Sequence, residues 1–172
     1  MNIPSLTALE LIKYLDLQKH PEGGYFKETY RSLSSHQRGE DGFPNQRSYA
    51  TGIYFMLQKN DFSAFHRIKS DEMWHFYIGN PITIYVLTAS EGLQEIHLGQ
   101  DLANGESLQA VVPANAWFAS ELKVKESFAL VGCTVAPGFD FQDFEMAHRE
   151  DLKKEFPNHT ALIQRLTYDS LL

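Results

Sequence analysis

The stretch 62–81, FSAFHRIKSDEMWHFYIGNP, decides how this chain folds. Phe62, Ala64, His66 and Ile68 fall on one side of an extended segment, because side chains alternate across a strand. Ser70-Asp71 reads as a short polar turn. Glu72 then opens a second strand, EMWHFYI, rich in aromatic residues and stopped by Gly79-Asn80-Pro81. The expectation is two neighbouring strands that bring His66 and Glu72 together in an apolar setting.

Outward from this pair, the flanking segments also read as strands. Residues 47–57, RSYATGIYFML, have high β-propensity, and one face runs from Arg47, Tyr49 and Thr51 to Ile53, Phe55 and Leu57. That polar-to-apolar gradient suits a strand entering a core from a pocket mouth. ITIYVLT at 82–88 alternates cleanly, and LQEIHL, LQAVVP, WFAS and SFALVGCTV supply further short strands. YFKETYR at 25–31 carries polar groups on both faces, with Phe26, Glu28 and Tyr30 on one of them. Such a strand lines a wet cavity or forms an edge.

Helices are expected only at the ends. Thr7-x-x-Glu10 is a capping-box pattern, and Leu9, Ile12 and Leu15, beside Leu11, recur at helical spacing up to Asp16-Leu17. HPEGG at 20–24 then breaks the chain. Residues 32–46 are almost without apolar content and read as a lid or a disordered loop. Phe139, Phe141 and Phe144 are spaced to dock on the body. MAHREDLKKEF reads as a helix, and Asn158 as the cap of a last short one.

The totals narrow the function. The 172 residues suit one domain, 1–172. A net charge of −7 with no Lys/Arg cluster argues against a nucleic-acid partner. Aromatics at 13% favour a β-rich interior or an aromatic-lined pocket. The single cysteine, Cys133, lies in an apolar run and reads as a buried inert thiol in a reducing compartment. With no signal segment and no membrane-length apolar run, the expected location is cytoplasmic, with no membrane partner.

The central stretch resembles the first motif of the cupin superfamily, in which glycine, His-x-His, glutamate and glycine recur at fixed spacing. His66, Glu72 and Gly79 fall in register, while Ile68 stands at the second histidine and Asn60 at the first glycine. The segments HPEGGYFKETYRS at 20–32, DEMWHFYIGNP at 71–81 and VAPGFDFQDFEMA at 135–147 are similar to one small cupin family, mostly labelled as of unknown function. The resemblance implies an all-β fold: a cupin jelly roll, or double-stranded β-helix, flanked by an N-terminal helix and C-terminal helices.

It also implies candidate chemistries. A metal-binding cupin uses three histidines and one glutamate, a set suited to a divalent transition metal. Here Ile68 and Phe118 occupy two of those positions, and strand parity turns His75 away from Glu72. No cofactor is therefore expected; if a divalent metal does bind, His66 and Glu72 are the residues to hold it. Cupins similar to the sugar-nucleotide 3,5-epimerases work without metal, with a histidine base where His66 falls. On that analogy the chain binds a small polar ligand, a carbohydrate or sugar nucleotide, and isomerises or epimerises it with His66 and Glu72. Tyr30 or Tyr49 would return a proton and Arg47 would hold an anionic group. Thr51, Glu28, Trp74, Phe76, Trp117 and Phe118 complete the expected binding surface. The same resemblance also accommodates a metal-dependent cupin oxygenase or isomerase, and a non-catalytic dimer that binds a small molecule or serves a structural role. A homodimer is expected in any case, as the commonest closed oligomer and the habit of similar cupins.

Overall fold

A computed structural model describes residues 6–36, 43 and 45–169 of the chain. It begins with helix α1 (Ala8–Leu15), capped as the Thr7–Glu10 pattern predicts: each of the two side chains bonds the other's backbone N–H. Asp16 closes it in the left-handed conformation, at φ 55°. Leu11 is buried, but Leu9 is 71% exposed and faces solvent, against the expectation that it packs. Capping contributes about 1 kcal/mol, so Thr7→Ala is expected to lower the melting temperature by about 2–4 °C. A thermal melt checks this.

Among the described residues thirteen strands follow: β1 (Gln18–Lys19), β2 (Tyr25–Arg31), β3 (Ser35–His36), β4 (Arg47–Ser48), β5 (Thr51–Gln58), β6 (Phe62–Arg67), β7 (Asp71–Gly79), β8 (Ile82–Thr88), β9 (Gly92–Leu98), β10 (Gln109–Val112), β11 (Trp117–Leu122), β12 (Phe128–Ala136) and β13 (Glu145–Met146). They make two antiparallel sheets, ordered β1-β2-β5-β12-β7-β10 and β13-β6-β11-β8-β9. β3 and β4 pair separately, so part of 32–46 is ordered; residues 37–42 and 44 of that expected loop lie outside the described residues. The expected strand 47–57 is likewise broken at Tyr49-Ala50.

β6 and β7 are not paired neighbours. The polar turn after Ile68 carries the chain from the five-stranded sheet to the six-stranded one. His66 and Glu72 therefore approach one interior from opposite walls. Between the walls lies the main core, with Phe55, Trp74, Phe76, Ile84 and Phe118. A second core, with Phe65, Trp117 and Leu152, sits under helices α2 (Arg149–Glu155) and α3 (Thr160–Arg165). A third, with Leu11, Leu17, Met56 and Leu130, seats α1. The α3 N-cap is His159; Asn158 lies in a preceding 3₁₀ turn, Pro157–His159, because Pro157 fixes that turn's first residue. Among the described residues no helix is long and apolar enough to cross a membrane.

Candidate functional site

Strand register builds the site in rows. Arg31, Thr51, Val135 and Glu72 lie opposite one another across β2, β5, β12 and β7. The next row is Glu28, Ile53, Cys133 and Trp74, and the third is Phe26, Phe55, Val131 and Phe76. Together with His66 of the facing sheet and Ile68 just beyond it, the first row, Glu28, Ile53 and Cys133 of the second, and Phe26 and Phe55 of the third bound a cavity of about 240 Å³. Trp74 and Phe76 share Glu72's face, but they lie in the packed core rather than on the cavity floor. At the β7 end of its row Trp74 meets Phe118 of the facing sheet edge-on, ring centroids 6.4 Å apart, and the cavity is lined by the β2 and β5 ends of these rows instead.

One irregularity decides what β2 contributes. Glu28 pairs with Ile53 and Tyr30 with Gly52, so an extra residue is inserted between them. This bulge turns Tyr30 outward, where it is 58% exposed, and brings Arg31 onto the cavity face instead. The proton-returning role expected of Tyr30 has no geometric support.

The floor comes from the loop between β1 and β2. Glu22 reaches between the sheets, and its Oε2 lies 3.0 Å from His66 Nε2 and 3.3 Å from His20 Nδ1. Its Oε1 accepts a hydrogen bond from Ser63 Oγ at 2.9 Å. Two glycines allow this close approach. At φ +112°, Gly23 passes so near β6 that a Cβ would overlap the Phe62 carbonyl. At Gly24, φ +70°, a Cβ would sit 2.7 Å from the Met56 carbonyl oxygen.

The hydrogen bonds locate a proton. His66 Nδ1 is 2.7 Å from the carbonyl oxygen of Ala64, which can only accept, so Nδ1 carries a hydrogen. His66 Nε2 then faces Glu22 Oε2, and one proton must lie between them. Burial raises the Glu22 carboxyl well above its ordinary pKa, helped by the nearby Glu72 and opposed by Ser63. Burial lowers His66 to about 3, with His20 adding to the shift and the Ala64 bond opposing it. The proton therefore belongs to Glu22: a neutral acid donating to a neutral imidazole, not an ion pair. His20 is lowered to about 4 by burial and accepts the Glu22 backbone N–H at Nδ1, so it too is uncharged.

Glu72 is the second acid. Burial raises it to about 7, opposed by a hydrogen bond from the Cys133 thiol. The thiol itself is pushed well up by burial and by Glu72. Cys133 is buried as the sequence implies, but it sits on the cavity wall.

The roof is the segment after β12. Phe139 and Phe141 line the cavity, and the Phe144 ring lies 5.4 Å from His66. Two arginines strap this segment down. Arg31 bonds the Glu28 carboxylate at 2.6 and 2.9 Å and the Phe139 carbonyl at 3.2 Å. Arg47 binds both Asp143 oxygens at 2.6 and 3.1 Å, with side chains only 2% and 5% exposed. Arg47 is thus committed to the roof rather than open to an anionic ligand, because Asp143 occupies its guanidinium. Tyr49, beside the break in the expected strand, is half exposed and off the cavity wall.

Thr51 and Glu28 line the cavity as expected, with His66 and Glu72. Phe118 lies behind His66, ring centroids 4.0 Å apart, and Trp117 faces the second core with Arg67 over its ring at 4.3 Å. Neither lines the cavity, because β11 turns its two faces into the two cores. Glu22 and His20 are functional candidates that strand patterning does not single out.

A cupin metal set does not fit these residues. Ile68 and Phe118 offer no donor, His66 Nε2 is turned to Glu22, and among the described residues no group of three His, Cys, Asp or Glu side chains is arranged to hold a metal ion. His75 points to the outer face, bonded to Thr134 and Gln109.

A family model described as "Cupin superfamily (DUF985)" matches residues 9–147. The "Uncharacterized protein YML079W" of Saccharomyces cerevisiae is 34% identical over 160 residues, covering 86% of this chain and 79% of the yeast protein. The crystal structure of protein SO0799 from Shewanella oneidensis superimposes with a TM-score of 0.87 at 38% identity, over 96% of this chain and all of that one. A hypothetical protein from Leishmania major matches as well, with a TM-score of 0.87, 33% identity and 95% and 100% coverage. A variant of oxalate decarboxylase from Bacillus subtilis shares the fold alone: TM-score 0.54, 13% identity, 89% of this chain and 38% of that one.

Proposed function

This chain belongs to the DUF985 family of the cupin superfamily, and on that premise we propose that its cavity binds a small polar ligand and moves a proton on it. The observation that carries this reading is the pairing of two buried acids with different protonation. Glu22 holds its proton against His66, while Glu72, near pKa 7, is part ionised at neutral pH. Pairs of acids held in different states are what acid–base catalysis requires.

The reaction class is a proton shift beside a carbonyl. The Glu72 carboxylate takes the proton of the C–H bond next to the carbonyl carbon. The carbonyl oxygen receives the Glu22 proton, and an enol forms. Reversal at the other carbon, or on the other face, gives an isomer or an epimer. No electrons are gained or lost. In this scheme His66, held by Ala64, orients Glu22 and does not itself take the substrate proton.

At about 240 Å³ the cavity lies below the roughly 300–1,000 Å³ of drug-sized pockets, so a single sugar-sized body is favoured over a whole nucleotide. The test is NMR in D₂O with a panel of pentoses and hexoses and their amino and uronic derivatives. Deuterium is expected at the carbon beside the carbonyl, and Glu72→Gln should slow the exchange by about 100-fold. A panel member that binds without exchanging would overturn the catalytic reading and leave a binding site.

A further inference from the structure

The cavity wall is electrically one-sided. Among the described residues four acidic side chains reach it, Glu22, Glu28, Glu72 and Asp140, against one cation, Arg31. All five Arg31 N–H groups are engaged. Nε and one Nη2 hydrogen go to Glu28; the others serve Ser48 Oγ and the Phe139 carbonyl. Arg31 thus cancels Glu28 and keeps no donor for an incoming anion. Asp140 stands 4.0 Å from Arg47. Glu22 keeps its proton, and His20 and His66 are uncharged.

Glu72 is left without an adequate partner. The residue is 92% buried, being 8% exposed, and among the described residues its side chain bonds only the Cys133 thiol, a weak donor. A buried carboxylate so placed strongly favours a counter-charge. The rest of the lining is hydrocarbon, including the rings of Phe26, Phe55, Phe139 and Phe141. Aromatic faces attract cations, more strongly where water is excluded.

We propose that the cavity selects small primary amines on a sugar-sized body, with the ammonium group against Glu72 and the carbon frame against the phenylalanine rings, and that it rejects anions. This names the ligand class for the site described above and rests on that site being a binding cavity. A phosphate or carboxylate would meet Glu72 and find no free cation, so the sugar nucleotide suggested by the sequence is disfavoured and an amino sugar is favoured. The groups that face Glu72 from the surrounding elements are Cys133, Glu22, His20, His66, the Glu28–Arg31 pair and Asp140. Of these, none supplies a free positive charge. Amine affinity should therefore rise as Glu72 ionises, by up to about tenfold per pH unit below pH 7, and level off above it.

Calorimetric titration of the full chain with two matched series provides the test: glucosamine, glucose and glucuronate, and benzylamine, benzyl alcohol and benzoate. In at least one series the amine is expected to bind at least tenfold tighter than the alcohol at pH 7, and the carboxylate to bind weakest. Glu72→Gln should shrink the amine's advantage over the alcohol from at least tenfold to about threefold or less. An alcohol that binds as well as the amine in both series, or a carboxylate that binds best, would overturn the cation preference and leave the cavity as a binding site. No binding by any of the six would overturn both readings for ligands of this size. The wild-type comparison stands even if the variant does not fold.

Discussion

Replacing Glu22 by alanine is expected to cost about 3–5 kcal/mol, while replacing it by glutamine costs about 1 kcal/mol or less. Alanine strands Ser63 Oγ and His66 Nε2 in a buried site, at about 1–3 kcal/mol for each unsatisfied group, and it leaves a void. Glutamine can mimic the protonated acid. Its amide nitrogen takes the place of Oε2 and donates to His66 Nε2, and its oxygen accepts from Ser63. At about 2–4 °C per kcal/mol, thermal melts near pH 6 should separate the two variants by roughly 10 °C. The contrast reports where the proton resides. Were Glu22 a carboxylate facing an imidazolium, glutamine would strand a buried charge and destabilise about as much as alanine. A glutamine variant that melts with the alanine variant would refute the neutral pair.

Glu72→Gln should change the pH dependence of stability. In the unfolded chain this carboxyl titrates near its ordinary value of 4.5, and in the fold near 7. A raised folded pKa gives a contribution fully present below pH 4.5 and lost as pH rises through 7, because the fold retains a proton that the unfolded chain has released. The native chain should therefore lose about 2 kcal/mol from this group between pH 5 and pH 8, and the glutamine variant should not. Relative to wild type, the variant gains stability over that interval, a shift of roughly 4–8 °C. His20 and His66 act on the acid side. Their folded pKa values are depressed, so they take protons in the unfolded chain from about pH 6.5 downward. Denaturation curves at pH 5, 6, 7 and 8 test this. Parallel profiles for variant and wild type would mean that Glu72 titrates normally in the fold.

Much of the fold was legible because it is written in local patterns. The capping box at Thr7, the alternation of 82–88 and the aromatic run after Glu72 each specify an element from a few adjacent residues. The site was legible only in part. His66, Glu72, Glu28 and Thr51 reach the cavity because strand parity is regular where they sit. Parity failed at β2, where one inserted residue exchanges Tyr30 for Arg31, and composition does not announce that bulge. Parity also does not say which end of a row the packed core fills, so Trp74 and Phe76, expected on the binding surface, lie in the core instead. A polar turn looks the same whether it joins paired strands or crosses between sheets, which hid the true relation of β6 to β7.

Glu22 was missed for another reason. Its segment, HPEGG, reads locally as a break, and its burial depends on a strand far along the chain: Ser63 Oγ bonds it across a separation of 41 residues. The glycines that looked like punctuation are what let the loop approach β6. The signal available was that the segment belongs to the text shared with the cupin family.

The two straps over the cavity are unlike each other. The Arg31–Glu28 pair is reached by water, with side chains 43% and 39% exposed, whereas Arg47 and Asp143 are sealed from it. Exposed pairs hold by about 0–1 kcal/mol and weaken in salt; breaking a buried pair costs about 3–5 kcal/mol. Arg31 therefore reaches the Phe139 carbonyl from a wet position, beside the bond from the Phe139 N–H to Thr51 Oγ1, while Arg47 grips Asp143 in a dry one. Salt in the medium should therefore discriminate between them, loosening the hold at Arg31 and leaving the one at Asp143 as it is.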